Sequence, residues 1–339
     1  MAKNSNLHNA KVAKNDDFFT QLSDIENELQ HYWSHGVNHF EGKSVLMNCD
    51  NPKFSNFWVY FHKNFNKLKL TRIGAVYYST SEPVHYKEYT GGDDFDINIG
   101  NEILLRGNGD FRSEECIEIL KGYDMVVTNP PFSLWRDMLA QIIKYDKEYI
   151  LIGNMNAVTC KEVFPLIKDN KIWLGTTDVR WFYQYSTNSP LYEAAHSRWF
   201  TNLDHGRRHQ PLPLMTMDDN IKFSKHKEVK GIGYQKYDNY DAIEVPFTDA
   251  IPSDYDGAMG VPISFLDKYC PVQFEILGMC ENEDLYKLKT KKYSSEECKN
   301  AYWSKFNKKG IYDLNASGVI ILDNLYEKVY QRILIRKKQ

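Results

Sequence analysis

Short apolar runs alternate with helix-period segments over the first half of the chain, and longer aromatic, irregular stretches replace them in the second. Ile25, Leu29 and Trp33 recur at helical spacing behind Ser23 or Asp24, either of which predicts a helix cap. Residues 44–47 read as a strand, 56–65 as a helix and 72–78 as a strand, and Ser113 predicts the cap of a short helix with Glu114 and Glu115 in its first turn. The run 124–128 reads as the next strand, Leu134, Met138, Leu139, Ile142 and Ile143 as a helix, and 149–153 as a further strand. This βα series predicts an α/β fold with a doubly wound, mostly parallel sheet, in which ligands collect at the carboxyl ends of the strands. Residues 48–52, 110–111 and 129–132 would lie there. Beyond residue 176 the β-like stretches are 179–185, 198–202, 242–246 and 274–279, and 319–322 with 329–336 reads as a closing hairpin, a helix being the alternative for the last stretch. The expected organisation is a mobile arm over 1–17, a catalytic domain over 18–204 and a mixed α+β region over 205–339 packed on it.

Composition narrows the class. A chain of 339 residues buries a full core and has room for a second domain. Its six cysteines are dispersed without a CxxC pair, which predicts reduced thiols, a cytoplasmic location and no structural metal. No run approaches the ~18 apolar residues of a membrane span, so no membrane partner is expected. A net charge of −3 excludes a general polyanion binder, and any nucleic-acid contact must come from local basic surface. Three clusters offer it: Lys222, Lys225, Lys227 and Lys230; Lys287, Lys289, Lys291 and Lys292; and Arg332, Arg336, Lys337 and Lys338.

The chemistry concentrates in the run that ends on Asn129-Pro130-Pro131-Phe132. Two prolines lack N–H donors and fix φ, so the turn presents carbonyl oxygens, and the Asn side chain adds another acceptor beside them. An aromatic face follows. Acceptors aimed at both protons of a planar amino group localise its lone pair as the transition state is reached, and a ring beside them can stack on a base. The plain alternative is a strand-terminating turn, since such dipeptides punctuate loops.

Further segments place this motif in a family. DDFFTQLSDIENEL (16–29), NCDNPKFSNF (48–57), GNGDFRS (107–113), VVTNPPFSL (126–134), LIGNMNAVT (151–159), RWFTNLDHGRRH (198–209), YDNYDAIEVP (237–246) and GVPISFLDKY (260–269), in this order, resemble the EcoRI type of adenine-specific DNA methyltransferase over nearly the whole chain. The resemblance implies the S-adenosylmethionine-dependent fold, double-stranded DNA as substrate, a monomer, and a possible cognate restriction endonuclease acting on the same site. It implies that Phe19 and Thr20 lie against the methionine end of the cofactor, and that Asn48, Asp50 and Pro52 form the loop where an acid reaches its ammonium. Asp110 would accept from its adenine amino group while Phe111 packs on the ring. Asn129 to Phe132 would grip and stack an adenine rotated out of the duplex. A second aromatic should cover the other face, with Trp181, Phe182 and Tyr183 as candidates. Arg207, Arg208, Asn239, Lys291 and Lys292 are the candidates for DNA contact.

Two departures from the wider methyltransferase pattern stand out. The usual FxGxG loop is absent, leaving Ser55 and Asn56 to tolerate the close approach, and strand two ends without a ribose-binding carboxylate, for which Glu82 or other groups must substitute. Gly42-Lys43-Ser44 misses the P-loop glycine spacing, and His205 with His209 has no evident third metal ligand. Methylases of protein glutamine or of RNA bases share the motif and form one rival class. A catalytically silent DNA-binding homologue forms another.

Overall fold

Nine strands form the principal sheet of this computed structural model, which describes residues 19–34, 36–184 and 189–338 and leaves the side chains of 183–195 outside that description. The expected arm over 1–17 lies outside the described residues. The strands are β1 (Phe19–Thr20), β2 (Ser44–Met47), β3 (Arg72–Ala75), β4 (His85–Tyr89), β5 (Asn101–Leu104), β6 (Met125–Thr128), β7 (Glu148–Asn154), β8 (Trp173–Gln184) and β9 (Ser189–Thr201), in the order β1-β8-β9-β7-β6-β2-β3-β4-β5. The centre β3-β2-β6-β7 is parallel, as the βα reading requires. The flanking pairs are antiparallel, so the fold is mixed α/β with a parallel heart rather than a parallel sheet throughout. The hairpin of β4 and β5 went unread because its polar, exposed edge strand carries no apolar run.

Every residue of β2 and β6 is buried, the mark of central strands covered on both faces. One face packs helices α1 (Leu22–Leu29) and α2 (Asn56–Lys63), whose Ile25, Leu29, Phe57, Trp58 and Phe61 join Val45, Met47, Met125, Val127, Ile150 and Ile152 in one core. The cap of α1 is the backbone of Gln21 rather than Ser23 or Asp24, which fall in its first turn. A four-residue helix α3 (Phe65–Leu68) follows α2, then α4 (Glu114–Lys121), capped by Ser113, and α5 (Trp135–Lys144), which buries Trp135, Met138, Leu139 and Ile142. Adjacent β2 and β6 open in opposite topological directions, toward β3 and β7, and this is the switch point at which a crevice forms.

The chain divides into two compact units, one of residues up to 164 with 171–205, the other of 165–170 with 206 onward. In the second, α6 (Met217–Phe223) precedes β10 (Ala242–Glu244), β11 (Ala258–Pro262) and β12 (Phe274–Met279); then come α7 (Ser295–Phe306), β13 (Val319–Leu322), β14 (Leu325–Lys328) and β15 (Arg332–Lys337). A capping box between Ser294 and Glu297 starts α7. The closing hairpin is corrected: β13 pairs with β14, because Asp323 and Asn324 both adopt the positive φ of a tight two-residue turn. The last stretch, β15, instead lies between β11 and β12.

Candidate active site

At the switch point, backbone pairing between β2 and β6 stops at Leu46 and Val126, and side chains take over. Asp50 is buried in the loop after β2, where its Oδ1 accepts from Ser55 Oγ at 2.8 Å and its Oδ2 from Thr128 Oγ1 at 2.5 Å. Ser55 also caps α2, accepting from the amides of Phe57 at 3.1 Å and Trp58 at 3.4 Å. Thus a serine performs the closing of the loop for which glycines were expected, and the acid expected to face a ligand spends both oxygens on protein hydroxyls. Pro52 lies half-buried in the same loop.

Asn56 donates from Nδ2 to the Thr20 carbonyl at 2.7 Å, and the Phe19 ring meets Phe54 edge-on at 6.5 Å. Strand β1 pairs in turn with β8, Thr20 opposite Phe182. Thr20 is therefore tied to Asn56, the residue after the Ser55 that holds Asp50, although the sequence separates them by 36 positions. Asn48 donates to Met138 Sδ, while its Oδ1 and the Thr20 Oγ1 are buried without a hydrogen-bond partner. Leaving such atoms unmatched costs about 1–3 kcal/mol each, so both invite a polar ligand.

Thr128 is wholly buried at the carboxyl end of β6, and the next residues emerge: Asn129, Pro131 and Phe132 are half-exposed and Pro130 is buried. The Pro131 carbonyl is already taken by the amide of Leu134 at 2.9 Å, which starts a 3-10 turn leading into α5. Phe132 rests on the core with one edge contact, its centroid 6.4 Å from that of Phe182 at an interplanar angle of 83°. This corrects one base-stacking candidate. Phe182 is fully buried and offers no free face, whereas the neighbouring Trp181 is 39% exposed. The side chain of Tyr183 lies outside the described residues.

A third loop, 105–113, closes over the end of β3. Gly109 has φ +76, and a Cβ there would stand 1.9 Å from the Tyr77 carbonyl oxygen, so only glycine permits this approach. Asp110 is not open: Oδ1 accepts from Arg112 Nε at 3.0 Å and Oδ2 from Nη2 at 2.8 Å, and this guanidinium holds the carboxyl below the usual carboxylate range. Phe111 is buried, and its carbonyl accepts from Gln141 on α5 at 3.0 Å. Beside them Tyr77 donates to Glu82 at 3.3 Å, which sets Glu82 at the end of β3 where a ribose-binding acid was missing.

Glu28 was not foreseen. Fully buried on α1, it accepts from Tyr32 Oη at 2.8 Å, from the amide and hydroxyl of Thr176 at 2.9 and 3.0 Å, and from those of Thr177 at 2.7 and 2.6 Å. It fills a register shift in β8 between Leu174 and Asp178, and a Cβ on Gly175 would come within 2.2 Å of Glu28 Oε1. Helical periodicity marks only that this position faces inward, and no local signal pairs it with residues 148 positions away.

In the second unit several candidates for DNA contact take other roles. Asn239 is completely buried, donating to the Ser317 carbonyl and accepting from the Val319 amide, both at 2.9 Å, so it is a structural strap. Lys291 pairs with Asp238 at 2.6 Å and lies over the rings of Tyr293 and Tyr326. Arg332 is buried against Glu244, Arg336 pairs with Glu275, and Lys222 and Lys225 pair with Asp218 and Asp249. Lys292 is exposed, and Arg207 and Arg208 are half-buried in one 3-10 turn, Gly206–His209. His205 Nε2 donates to the Leu174 carbonyl at 3.0 Å, inside the first unit. Among the described residues no group of three His, Cys, Asp or Glu side chains could hold a metal, and no helix is long and apolar enough to cross a membrane.

Comparison with known proteins identifies the family. The model of the family described as adenine-specific methyltransferase EcoRI matches residues 6–338. The chain is 43% identical to the type II methyltransferase M.EcoRI of Escherichia coli, over 84% of this chain and 91% of that one. It is 34% identical to M.MgeORF184P of Mycoplasma genitalium, over 98% and 99%, and 34% identical to M.MpnI of Mycoplasma pneumoniae, over 85% and 90%. No solved structure matches.

Proposed function

Since the chain belongs to the EcoRI family of adenine-specific methyltransferases, we propose that it moves a methyl group from S-adenosylmethionine to the N6 amine of an adenine rotated out of duplex DNA, as the modification half of a restriction-modification system. The observation that carries this reading is the Asn129-Pro130-Pro131-Phe132 turn, half-exposed at the switch point and one residue beyond a hydrogen bond to the loop after β2.

The cofactor, when bound, supplies an electrophilic methyl group on a sulfonium centre. Thr20 Oγ1 and Asn48 Oδ1, buried and unmatched, are the groups to hold its polar end. Asp110 would accept from its adenine amino group once Arg112 yields, Phe111 would pack on the ring, and Glu82 would accept from the ribose hydroxyls. Asn129 Oδ1 and the Pro130 carbonyl accept hydrogen bonds from the two N6 protons, which raises lone-pair density on that nitrogen; as the N6–methyl bond forms the carbon–sulfur bond breaks, S-adenosylhomocysteine leaves, and one N6 proton passes to solvent. Phe132 stacks on the extruded ring, and rotation out of the duplex costs a few kcal/mol that stacking and base-edge hydrogen bonds offset. Trp181, exposed on the strand beside Phe132, is the group to cover the second face. No covalent enzyme intermediate is required.

The second unit serves as the DNA-recognition region, with Arg207, Arg208 and Lys292 on phosphates or base edges. The protein works as a monomer in the cytoplasm, and a cognate endonuclease cutting the same site is the expected partner. The test is incubation with labelled cofactor and plasmid DNA, followed by mapping of the label. Methyl groups on adenines at one recurring sequence support the reading. Label in polypeptide or RNA, or none anywhere, contradicts it.

A further inference from the structure

We infer that Asp50 and Thr128 form a positioning rail that carries the state of the loop after β2 to the Asn129–Phe132 turn, an inference that rests on the methyltransferase reading of the site. Two loops must cooperate here, one holding the cofactor and one holding the base. The backbone does not join them: pairing between β2 and β6 ends at Leu46 and Val126, two residues before the loop on one side and two before Thr128 on the other. The Asp50 carboxylate spans the gap, with one oxygen on Ser55 at the start of α2 and the other on Thr128, next to Asn129. The Asp50 amide is itself tied to the Val76 carbonyl at 3.0 Å, so the acid is held from three elements.

The chemistry of the partners fixes the direction of each bond. Ser55 Oγ accepts from two amides of α2, so its one hydrogen must go to Asp50. A carboxylate can receive both hydroxyls at once. An amide in its place can accept from only one of them. Burial excludes water as a substitute, Asp50 being 8% and Thr128 0% exposed. Any displacement of the loop 48–55 on ligand binding is thus passed through a rigid group to the residue before the acceptor of the N6 protons. Thr128 and Asp50 are positioning residues and touch no reacting atom. This accounts for an acid in the ligand loop that spends its oxygens inward.

The test uses the full chain with Thr128→Val, Thr128→Ser and Asp50→Asn, and three readouts: hydrogen exchange of the amides of residue 129 and of residues 132 to 134 with and without S-adenosylhomocysteine, the dissociation constant of S-adenosylhomocysteine, and single-turnover methyl transfer to duplex DNA at saturating cofactor. In the wild type the ligand slows exchange in this turn. Thr128→Val abolishes the slowing and lowers the single-turnover rate about 10–100-fold, as expected for misplacement of the acceptors by a fraction of an ångström, while the dissociation constant changes less than about threefold. Thr128→Ser restores both the slowing and the rate. Asp50→Asn, which conserves volume, reproduces the loss of slowing and keeps the test decisive if the valine variant does not fold. The rail is overturned if the wild type shows no slowing, or if Thr128→Val or Asp50→Asn keeps the wild-type slowing and rate. A wild type that shows the slowing but puts no methyl group on adenine sinks the functional reading alone.

Discussion

Phe182, buried in the core, meets Phe132 at the end of β6 in a T-shaped pair, with centroids 6.4 Å apart and planes at 83°. One aromatic thereby braces another. Edge-to-face pairs of this kind are worth about 0.5–1.5 kcal/mol beyond the area they bury. Phe182→Ala should therefore cost about 3–5 kcal/mol of stability in urea unfolding, the range for a large ring lost from a core. Trp181→Ala should change stability by less than about 0.5 kcal/mol while weakening the fluorescence change of 2-aminopurine placed at the target adenine. The reverse ranking would mean that the two neighbours have been given each other's roles.

Asn129→Ala removes the side-chain acceptor proposed for the N6 protons. Turnover should fall by about two to three orders of magnitude, with DNA affinity within about threefold of wild type in a filter-binding titration. Comparable loss of both contradicts the assigned role.

Asn239→Ala should act on stability rather than recognition. It strands the Ser317 carbonyl and the Val319 amide inside the second unit, at about 1–3 kcal/mol for each buried group left unmatched. The slope of log affinity against log salt for DNA should stay at the wild-type value.

Lys292→Ala should make that salt slope shallower by about one if its exposed ammonium meets a phosphate. Lys291→Ala should leave the slope alone, because its charge is matched by Asp238 within the protein. Equal effects of the two lysines would return both to the DNA surface.

Asp124 offers a pH test. Burial pushes its carboxyl up, but hydrogen bonds from the Ser44 hydroxyl at 2.7 Å and amide at 2.8 Å, with Lys43 and Lys147 nearby, hold it below the ordinary range. A folded value lower than the unfolded one, about 3.9, gives stability that is present above that pH and lost as pH falls through the folded value. Asp124→Asn should therefore be less stable at neutral pH and show a flatter decline below about pH 4 in acid titrations of unfolding. A decline as steep as in the wild type would remove Asp124 from the acid-sensitive set.

The apolar runs at 44–47 and 124–128 and the Ser113 cap were legible because each depends on residues within a turn or a strand of itself. So was the turn at 129–132, where two prolines end the strand. The charged and amide side chains were misread for the opposite reason. Lys291, Arg332 and Asn239 look like surface in a linear reading, yet each finds a partner that only folding supplies, such as Glu244, 88 residues from Arg332.

Hydrophobic periodicity by itself determined the buried central strands β2, β6 and β7 and the helices α2 and α5 beside them, since burial of an apolar face needs only the right spacing along the chain. What the tertiary structure alone decided is which polar groups meet: Asp50 with Thr128 across 78 residues, and Glu28 with Thr177 across 149. A buried donor or acceptor must be matched somewhere, but spacing along the chain does not say by whom, because the match depends on how separate strands and helices are brought side by side.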